Sequence, residues 1–180
     1  MPDIKIDSSW SLFLDRDGVI NERNFEGYIT SKSDFKFLPK VIEGLKVLSK
    51  QFSRIIVVTN QQGIAKGIMT EETLGEIHTF MIDALKIEGI HIDSVSFASN
   101  FKGAEMDRRK PKSSMAFEAQ TTFPEIDFKK SIMVGDTDSD LKFGMNLGMT
   151  TVLITSLEKV SAEPNIKVNN FKELADVLQF

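Results

Sequence analysis

The sequence predicts an α/β fold in which a mainly parallel sheet has helices on both faces. Short runs of β-branched and apolar residues alternate with longer segments whose apolar residues recur at helical spacing. This alternation is typical of parallel sheets, because parallel strands need a crossover between them. Polar clusters follow four of the predicted strands. They fit the same architecture, because right-handed crossovers bring the carboxyl ends of parallel strands to one edge.

The first half of the chain contains two predicted strands and two predicted helices. An apolar run at residues 12–14 indicates a strand buried on both faces, and residues 54–59 form the clearest strand because they are rich in β-branched residues. Between them, Pro39 is expected to open a helix at its first turn. Thr70 is expected to cap the second helix. Its apolar stripe, which we interpret as core, comprises Leu74, Ile77, Met81 and Leu85.

The second half of the chain continues the alternation. Three further strands are predicted at residues 94–98, 131–134 and 150–154. Three further helices are predicted from Ser113 or Ser114 through Phe123, over residues 141–147 and over residues 171–178. The chain contains no repeats and no low-complexity tract, so we expect residues 1–180 to form a single domain.

Bulk composition excludes several classes of function. The 180 residues can bury a core without staples, and the absence of cysteine excludes disulfides, a thiol nucleophile and a thiolate zinc site. The net charge of −4 argues against non-specific binding to nucleic acid. Residues 1–9 are polar and lack a signal core, and no apolar run of about 18 residues could span a membrane. We therefore expect a cytoplasmic protein.

Four polar clusters are predicted to meet at the carboxyl edge of the sheet. They are Asp15 with Asp17, Thr59 with Asn60, Arg109 with Lys110, and Asp136 with Asp140. Each cluster alone could be a solvated turn, because Asp, Asn and Gly are residues that turns prefer. Four such clusters at one edge of the sheet instead favour a functional site. Two carboxylates as close as the first pair repel unless a cation lies between them, and Mg²⁺ suits such oxygen ligands.

The first cluster has the chemistry needed to break a phosphate ester. Asp15 is the candidate nucleophile, because a carboxylate can attack phosphorus to form an aspartyl-phosphate intermediate. Asp17 is then the candidate acid and base, which would protonate the leaving oxygen and later deprotonate water. Its backbone carbonyl, rather than its side chain, is available to a metal ion.

The other clusters would supply charge and metal ligands. Thr59 would offer its hydroxyl, with neighbouring backbone N–H groups, to the phosphoryl oxygens, and Lys110 would neutralise their charge. Asp136 would ligate Mg²⁺ together with Asp15. Asp140 is expected to hold the water shell of the metal or to orient Lys110.

Four motifs, LDRDGVIN, VVTNQQG, RRKP and VGDTDSD, resemble in order those of the haloacid dehalogenase superfamily of phosphatases. More narrowly they resemble the branch of D-glycero-D-manno-heptose-1,7-bisphosphate 7-phosphatases and histidinol-phosphatases, over residues 12–154. The resemblance implies a magnesium-dependent phosphatase on a Rossmann-like three-layer α/β/α sandwich. It implies the same roles for Asp15, Asp17, Thr59, Lys110 and Asp136, and it places Asn60 and Arg109 where relatives contact phosphate or substrate.

The loops predict how the site differs within that branch. The branch is nearly capless, and the gaps from Asp17 to Pro39 and from Gly63 to Thr70 are too short for a cap domain. Selectivity would then depend on three loops, residues 21–34, 61–69 and 99–112. Many members carry a zinc-binding loop of Cys and His before Arg-Lys-Pro. Here that segment contains neither residue type, so we expect no zinc.

Several functions remain open at this point. The leading hypothesis is a phosphatase for a small metabolite, such as the sugar phosphate heptose 1,7-bisphosphate, and histidinol phosphate is the alternative substrate. A nucleic-acid 3′-phosphatase would also carry DxDG and a TNQ-like motif, but the acidic charge and the lack of a basic, aromatic groove count against it. A non-catalytic binding protein on the same scaffold should have lost a catalytic acid or the lysine, and none is missing. A monomer is the favoured oligomeric state.

Overall fold

The computed structural model describes residues 5–178, and among them six strands form one sheet. The strands are β1 (Ser11–Leu14), β2 (Arg54–Asn60), β3 (Ser94–Ala98), β4 (Ser131–Gly135), β5 (Thr150–Ile154) and β6 (Ile166–Val168). The helices are α1 (Val41–Leu48), α2 (Glu71–Ile87), α3 (Ser114–Thr122), α4 (Asp138–Leu147) and α5 (Phe171–Val177). Residues 1–4 and 179–180, which belong to the predicted single domain, lie outside the described residues.

The sheet has the strand order β3-β2-β1-β4-β5-β6, and every pair of neighbours is parallel. The central strand β1 is fully buried, and Phe13 lies between Ile56 and Met133 of its two neighbours. All carboxyl ends of the strands therefore lie along one edge, as predicted. At that edge β1, β2 and β4 deliver the polar residues that follow them.

Alternating residues of the strands face two separate cores. Leu12 and Leu14 pack with buried residues of α1, α2 and α5, whereas Phe13 packs on the opposite face with residues of α3 and α4. Successive side chains of a strand point to opposite faces, so the consecutive apolar residues Leu12, Phe13 and Leu14 serve both cores. The predicted Rossmann-like three-layer sandwich is confirmed.

Most predicted elements are confirmed, with differences at their ends. Thr70 caps α2 by accepting a hydrogen bond from the backbone N–H of Thr73 (3.1 Å). The predicted opening of α1 by Pro39 is wrong, because Lys40 has a left-handed backbone (φ 67°) that the helix cannot include, and α1 begins at Val41. Helix α4 begins three residues before the predicted start, where Thr137 and Asp140 form a capping box.

Strand β6 was not predicted. It has three residues, and only Ile166 and Val168 are buried. So short a run carries almost no periodic signal, and its strand state depends on pairing with β5. The segment between β1 and α1 contains only isolated bridges, from Asn21 to Asp17 and to Phe37, so the expectation of an essentially capless fold is confirmed. No helix in residues 5–178 has both the length and the apolar character needed to cross a membrane.

Two glycines in helices offer a matched test of the packing between α1 and α5. A Cβ atom added to Gly44 would overlap with the backbone of Phe171, so Gly44→Ala should force α1 and α5 apart and lower the free energy of unfolding by about 1–3 kcal/mol. A Cβ atom added to Gly75 of α2 would meet nothing within 4 Å, so Gly75→Ala should raise it by about 0.5–1 kcal/mol. Urea unfolding of both variants measures the difference. Equal changes in the free energy of unfolding for the two variants would contradict the close contact between Gly44 and Phe171.

Candidate active site

A buried lysine joins the carboxyl ends of β1 and β2 to the start of α4. The Nζ atom of Lys110 lies 2.7 Å from Asp15 Oδ1, 2.7 Å from Asp140 Oδ1 and 2.6 Å from the carbonyl oxygen of Val58. Asp15, Lys110 and Asp140 are each at least 95% buried as whole residues. A buried charge of this kind must be paired to be tolerated. The predicted contact between Asp140 and Lys110 is therefore present in the structure.

Three carboxylates crowd together beside this lysine. Asp15, Asp136 and Asp140 each place one oxygen within 4.8 Å of the others. Burial raises the pKa of Asp136 to about 8, with the charge of Asp15 adding to the effect. Burial also raises the pKa of Asp15 to about 6, despite the attraction of Lys110. The three carboxylates therefore need positive charge nearby to be ionised together.

The cluster fits a divalent cation. The Oδ2 atom of Asp136 is buried and accepts no hydrogen bond from the described residues. Gly18 has a left-handed backbone (φ 88°), and a Cβ atom at this position would overlap with the Asp136 carboxylate. The glycine of the DxDG motif thus lets the chain after β1 approach Asp136 closely. Carboxylates in this arrangement are suitable ligands for Mg²⁺.

Asp17 lies in a different environment from Asp15, although the two residues are nearly adjacent. Its two oxygens accept hydrogen bonds from Arg16 Nη2 (2.9 Å each), Asn21 Nδ2 (3.0 Å) and Gln61 Nε2 (2.8 Å). Burial alone would raise the pKa of the Asp17 carboxyl, but the charge of Arg16 and these donors outweigh it and hold the pKa below its usual range. Its carbonyl oxygen instead accepts a hydrogen bond from Arg23 Nη2 (3.0 Å).

Three donors to Asp17 were missed by the sequence analysis, namely Arg16, Asn21 and Gln61. Arg16 is fully buried, and its Nη1 lies 3.1 Å from His78 Nε2. Arginine only donates, so His78 must accept there as a neutral imidazole. Gln61 bridges Asp17 and the hydroxyl of Thr59 (2.8 Å to each). The sequence feature that could have indicated the role of Arg16 is a charged residue between two acids, just after a buried strand.

The second and third polar clusters meet across the end of β2. Thr59 is buried beside the cleft. Asn60 accepts a hydrogen bond from the backbone N–H of Lys110 (2.9 Å) and donates to its carbonyl oxygen (3.3 Å). Asn60 thus fixes the backbone of the lysine as well as lining the cleft. Arg109 lines the cleft too, and its buried Nη1 has no partner among the described residues.

The cleft above these residues has a volume of about 230 Å³. Its floor contains Asp15, Asp17 and Lys110, and its walls include residues of all three predicted selectivity loops. Tyr28, Gln62 and Arg109 represent the loops at residues 21–34, 61–69 and 99–112. The structure therefore brings Asp15, Asp17, Thr59, Asn60, Arg109, Lys110, Asp136 and Asp140 into one region. Arg23, which was not predicted, lies among them.

Comparisons of sequence agree with this geometry. The model of the family described as polynucleotide kinase 3 phosphatase matches residues 12–154. The D-glycero-alpha-D-manno-heptose-1,7-bisphosphate 7-phosphatase of Campylobacter jejuni subsp. jejuni is 32% identical over 170 residues, which cover 94% of each chain. The D-glycero-beta-D-manno-heptose-1,7-bisphosphate 7-phosphatase of Haemophilus influenzae is 35% identical over 160 residues, which cover 85% of each chain. The predicted resemblance is confirmed.

Solved structures share the fold. The D,D-heptose 1,7-bisphosphate phosphatase from B. bronchiseptica, complexed with magnesium and phosphate, superposes with a TM-score of 0.83 at 23% identity and covers 93% of this chain and 96% of its own. The D,D-heptose 1,7-bisphosphate phosphatase from Burkholderia thailandensis gives a TM-score of 0.65 at 26% identity, with 92% and 96% covered. The three-layer architecture is therefore the one that these phosphatases have.

The contact between His78 and Arg16 predicts a specific dependence of stability on pH. Burial and the charge of Arg16 lower the pKa of His78 from 6.5 to about 3. Below about pH 6.5 His78 therefore binds a proton in the unfolded chain but stays neutral in the folded protein, and the free energy of unfolding falls as the pH falls. Between about pH 7 and about pH 5 this group alone should lower the free energy of unfolding by about 2 kcal/mol.

His78→Gln removes the titration while keeping an acceptor for Arg16. Urea unfolding near the two pH values should show a loss that is smaller by about 2 kcal/mol in this variant than in the wild type. His91, whose side chain is 82% exposed, provides the control, and His91→Gln should behave as the wild type does. An identical pH dependence for His78→Gln would contradict the neutral buried imidazole.

Proposed function

Because the chain belongs to the polynucleotide kinase 3 phosphatase family within the haloacid dehalogenase superfamily, we propose that it is a magnesium-dependent phosphatase of a small metabolite. The observation that carries this proposal is the Asp15 carboxylate at the floor of the cleft, 2.7 Å from Lys110 and beside Asp136. A nucleophile, a fixed cation and a metal ligand thus surround one position. These are the parts that the transfer of a phosphoryl group requires.

The residues of the chain divide the reaction between them. Asp15 would attack phosphorus while the bond to the ester oxygen breaks, which leaves an aspartyl phosphate. Lys110 stays within contact of Asp15 and stabilises the charge of the phosphoryl oxygens, with Thr59 and Arg109 at the rim. Asp15, Asp136 and the carbonyl of Asp17 would hold Mg²⁺, which when bound supplies positive charge against the phosphate.

Asp17 is best suited to the second half of the reaction. Arg16, Asn21 and Gln61 keep its carboxylate ionised and fixed, so it can take a proton from the water that hydrolyses the aspartyl phosphate. The same carboxyl would then be protonated when the next leaving oxygen needs a proton. The role of Asp17 as acid and base is therefore part of this proposal.

Heptose 1,7-bisphosphate is the substrate that we propose. Relatives that share about a third of the sequence over nearly the whole chain are named for the α or the β anomer of this sugar. A polynucleotide 3′-phosphate is the second candidate, because the family description names it. The net charge of −4 and a cleft of about 230 Å³ disfavour a long polyanion. The single domain, the cytoplasmic location, the monomeric state and the absence of zinc stay predictions.

Removal of the nucleophile should abolish the activity. Asp15→Asn should release no phosphate from an aryl phosphate in the presence of Mg²⁺, a loss of at least about 10³-fold, because an amide cannot attack phosphorus. EDTA should have the same effect on the wild type, and added Mg²⁺ should reverse it. Asp138→Asn is the control, because this acid lies at the start of α4 and bonds to Ser161 and Ala162 outside the cleft. Retained turnover in Asp15→Asn would refute the assignment.

A panel of substrates should separate the candidate functions. We expect kcat/KM for one anomer of heptose 1,7-bisphosphate to exceed that for histidinol phosphate and for a 3′-phosphorylated oligonucleotide by about tenfold or more, a preference of about 1.4 kcal/mol. Phosphate release from both anomers measures which one the cleft prefers. Turnover of the oligonucleotide at the highest rate would instead favour the nucleic-acid phosphatase, and activity on none would favour a binding protein.

A further inference from the structure

Arg23 faces the three groups that the proposed function assigns to magnesium, and on Asp136 it bonds to Oδ1 and leaves Oδ2 free. Its Nη2 atom donates to Asp136 Oδ1 at 2.6 Å and to the carbonyl oxygen of Asp17 at 3.0 Å. The same atom is 3.9 Å from Asp15 Oδ2. One nitrogen of the guanidinium thus faces two carboxylates and one carbonyl group, all from the residues that directly follow β1 and β4.

This arrangement cannot coexist with a metal ion on the same oxygens. Mg²⁺ binds oxygen at about 2.1 Å and needs its ligands directed at the ion. A guanidinium nitrogen at hydrogen-bond distance from the same atoms takes that position, and the two cations would repel each other. We propose that Arg23 is an exchangeable cation of the metal site, which balances the carboxylates until Mg²⁺ displaces it. The inference rests on the proposed function, because it presupposes the magnesium site.

The surroundings of Arg23 allow it to leave. It belongs to the segment between β1 and α1, which has no regular strand or helix, and 24% of its side chain is exposed. It separates the active-site cleft from a second cavity of about 440 Å³, which also borders Asp136. Its Nε atom is buried without a partner among the described residues. The second cavity offers space into which the side chain can turn away from the carboxylates.

A second acceptor is available for the displaced guanidinium. Glu158, on the loop after β5, lies 3.5 Å from Arg23 Nη1, and 36% of its side chain is exposed. Lys110 differs, because it is enclosed and contacts three acceptors at 2.6–2.7 Å. The site therefore contains one fixed cation and one that can be exchanged. Removal of the exchangeable cation should lower stability without metal and should strengthen magnesium binding.

Isothermal titration calorimetry with MgCl₂ tests the competition without measuring turnover. Arg23→Gln should bind Mg²⁺ at least roughly tenfold more tightly than the wild type, which corresponds to about 1.4 kcal/mol. In EDTA the same variant should melt at a lower temperature than the wild type, and saturating Mg²⁺ should remove this difference in melting temperature. Arg54→Gln is the matched control. Arg54 also pairs with two carboxylates, Asp93 and Glu125, but at the amino end of β2, and its loss should leave magnesium affinity unchanged.

Three outcomes of these measurements would overturn the exchange. Weaker binding to Arg23→Gln than to the wild type, with an unchanged circular dichroism spectrum, would overturn the exchange. Equal affinities and equal melting temperatures for the wild type and Arg23→Gln would also overturn it and would leave the proposed function intact. Absence of magnesium binding in both proteins would overturn the exchange and the proposed metal site together.

Discussion

The arrangement of the site depends on the repulsion between carboxylates that the sheet forces together. Strands β1 and β4 are neighbours in the sheet, so the acids that follow them, Asp15 and Asp136, must lie side by side. The apolar strands beneath leave little water to screen them. Two basic side chains supply compensating charge. Lys110 does so from the loop after β3, and Arg23 does so from the segment after β1.

Asp15 and Asp17 differ in the charges that surround them. Asp15 is buried beside two other acids, and its pKa is raised, whereas Asp17 faces Arg16 and two amides, and its pKa is lowered. Separation of neighbouring carboxylates by environment is how sites assign different roles to one residue type. Arg16 contributes most to the low pKa of Asp17, because its fully buried guanidinium bonds to both oxygens of that carboxylate.

The sequence predicted the parts of the site that follow directly from strands. Alternation and β-branched runs located β1 to β5, and parallel topology then required their terminal polar residues to meet. It did not predict the contacts of Arg16, Arg23 and Gln61. Charged or polar residues in turns have no period, so their partners depend on how the loops fold back on the edge of the sheet. Lys40 illustrates the same limit, because its left-handed backbone moved the start of α1 away from Pro39.

The division between sheet and loops also explains where substrate choice must lie. Lys110 pairs with Asp15, and Asp136 lies within 4.8 Å of Asp15, so a change in any of them would disturb the charge balance of the whole cluster. Tyr28, Gln62 and similar residues of the walls lie on loops that the sheet does not constrain. Relatives of this chain are named for different anomers of one sugar at nearly the same sequence identity. A shared set of reacting groups with variable walls accounts for that pattern, because the anomers differ at carbon 1, remote from the phosphate on carbon 7 that these relatives are named for removing.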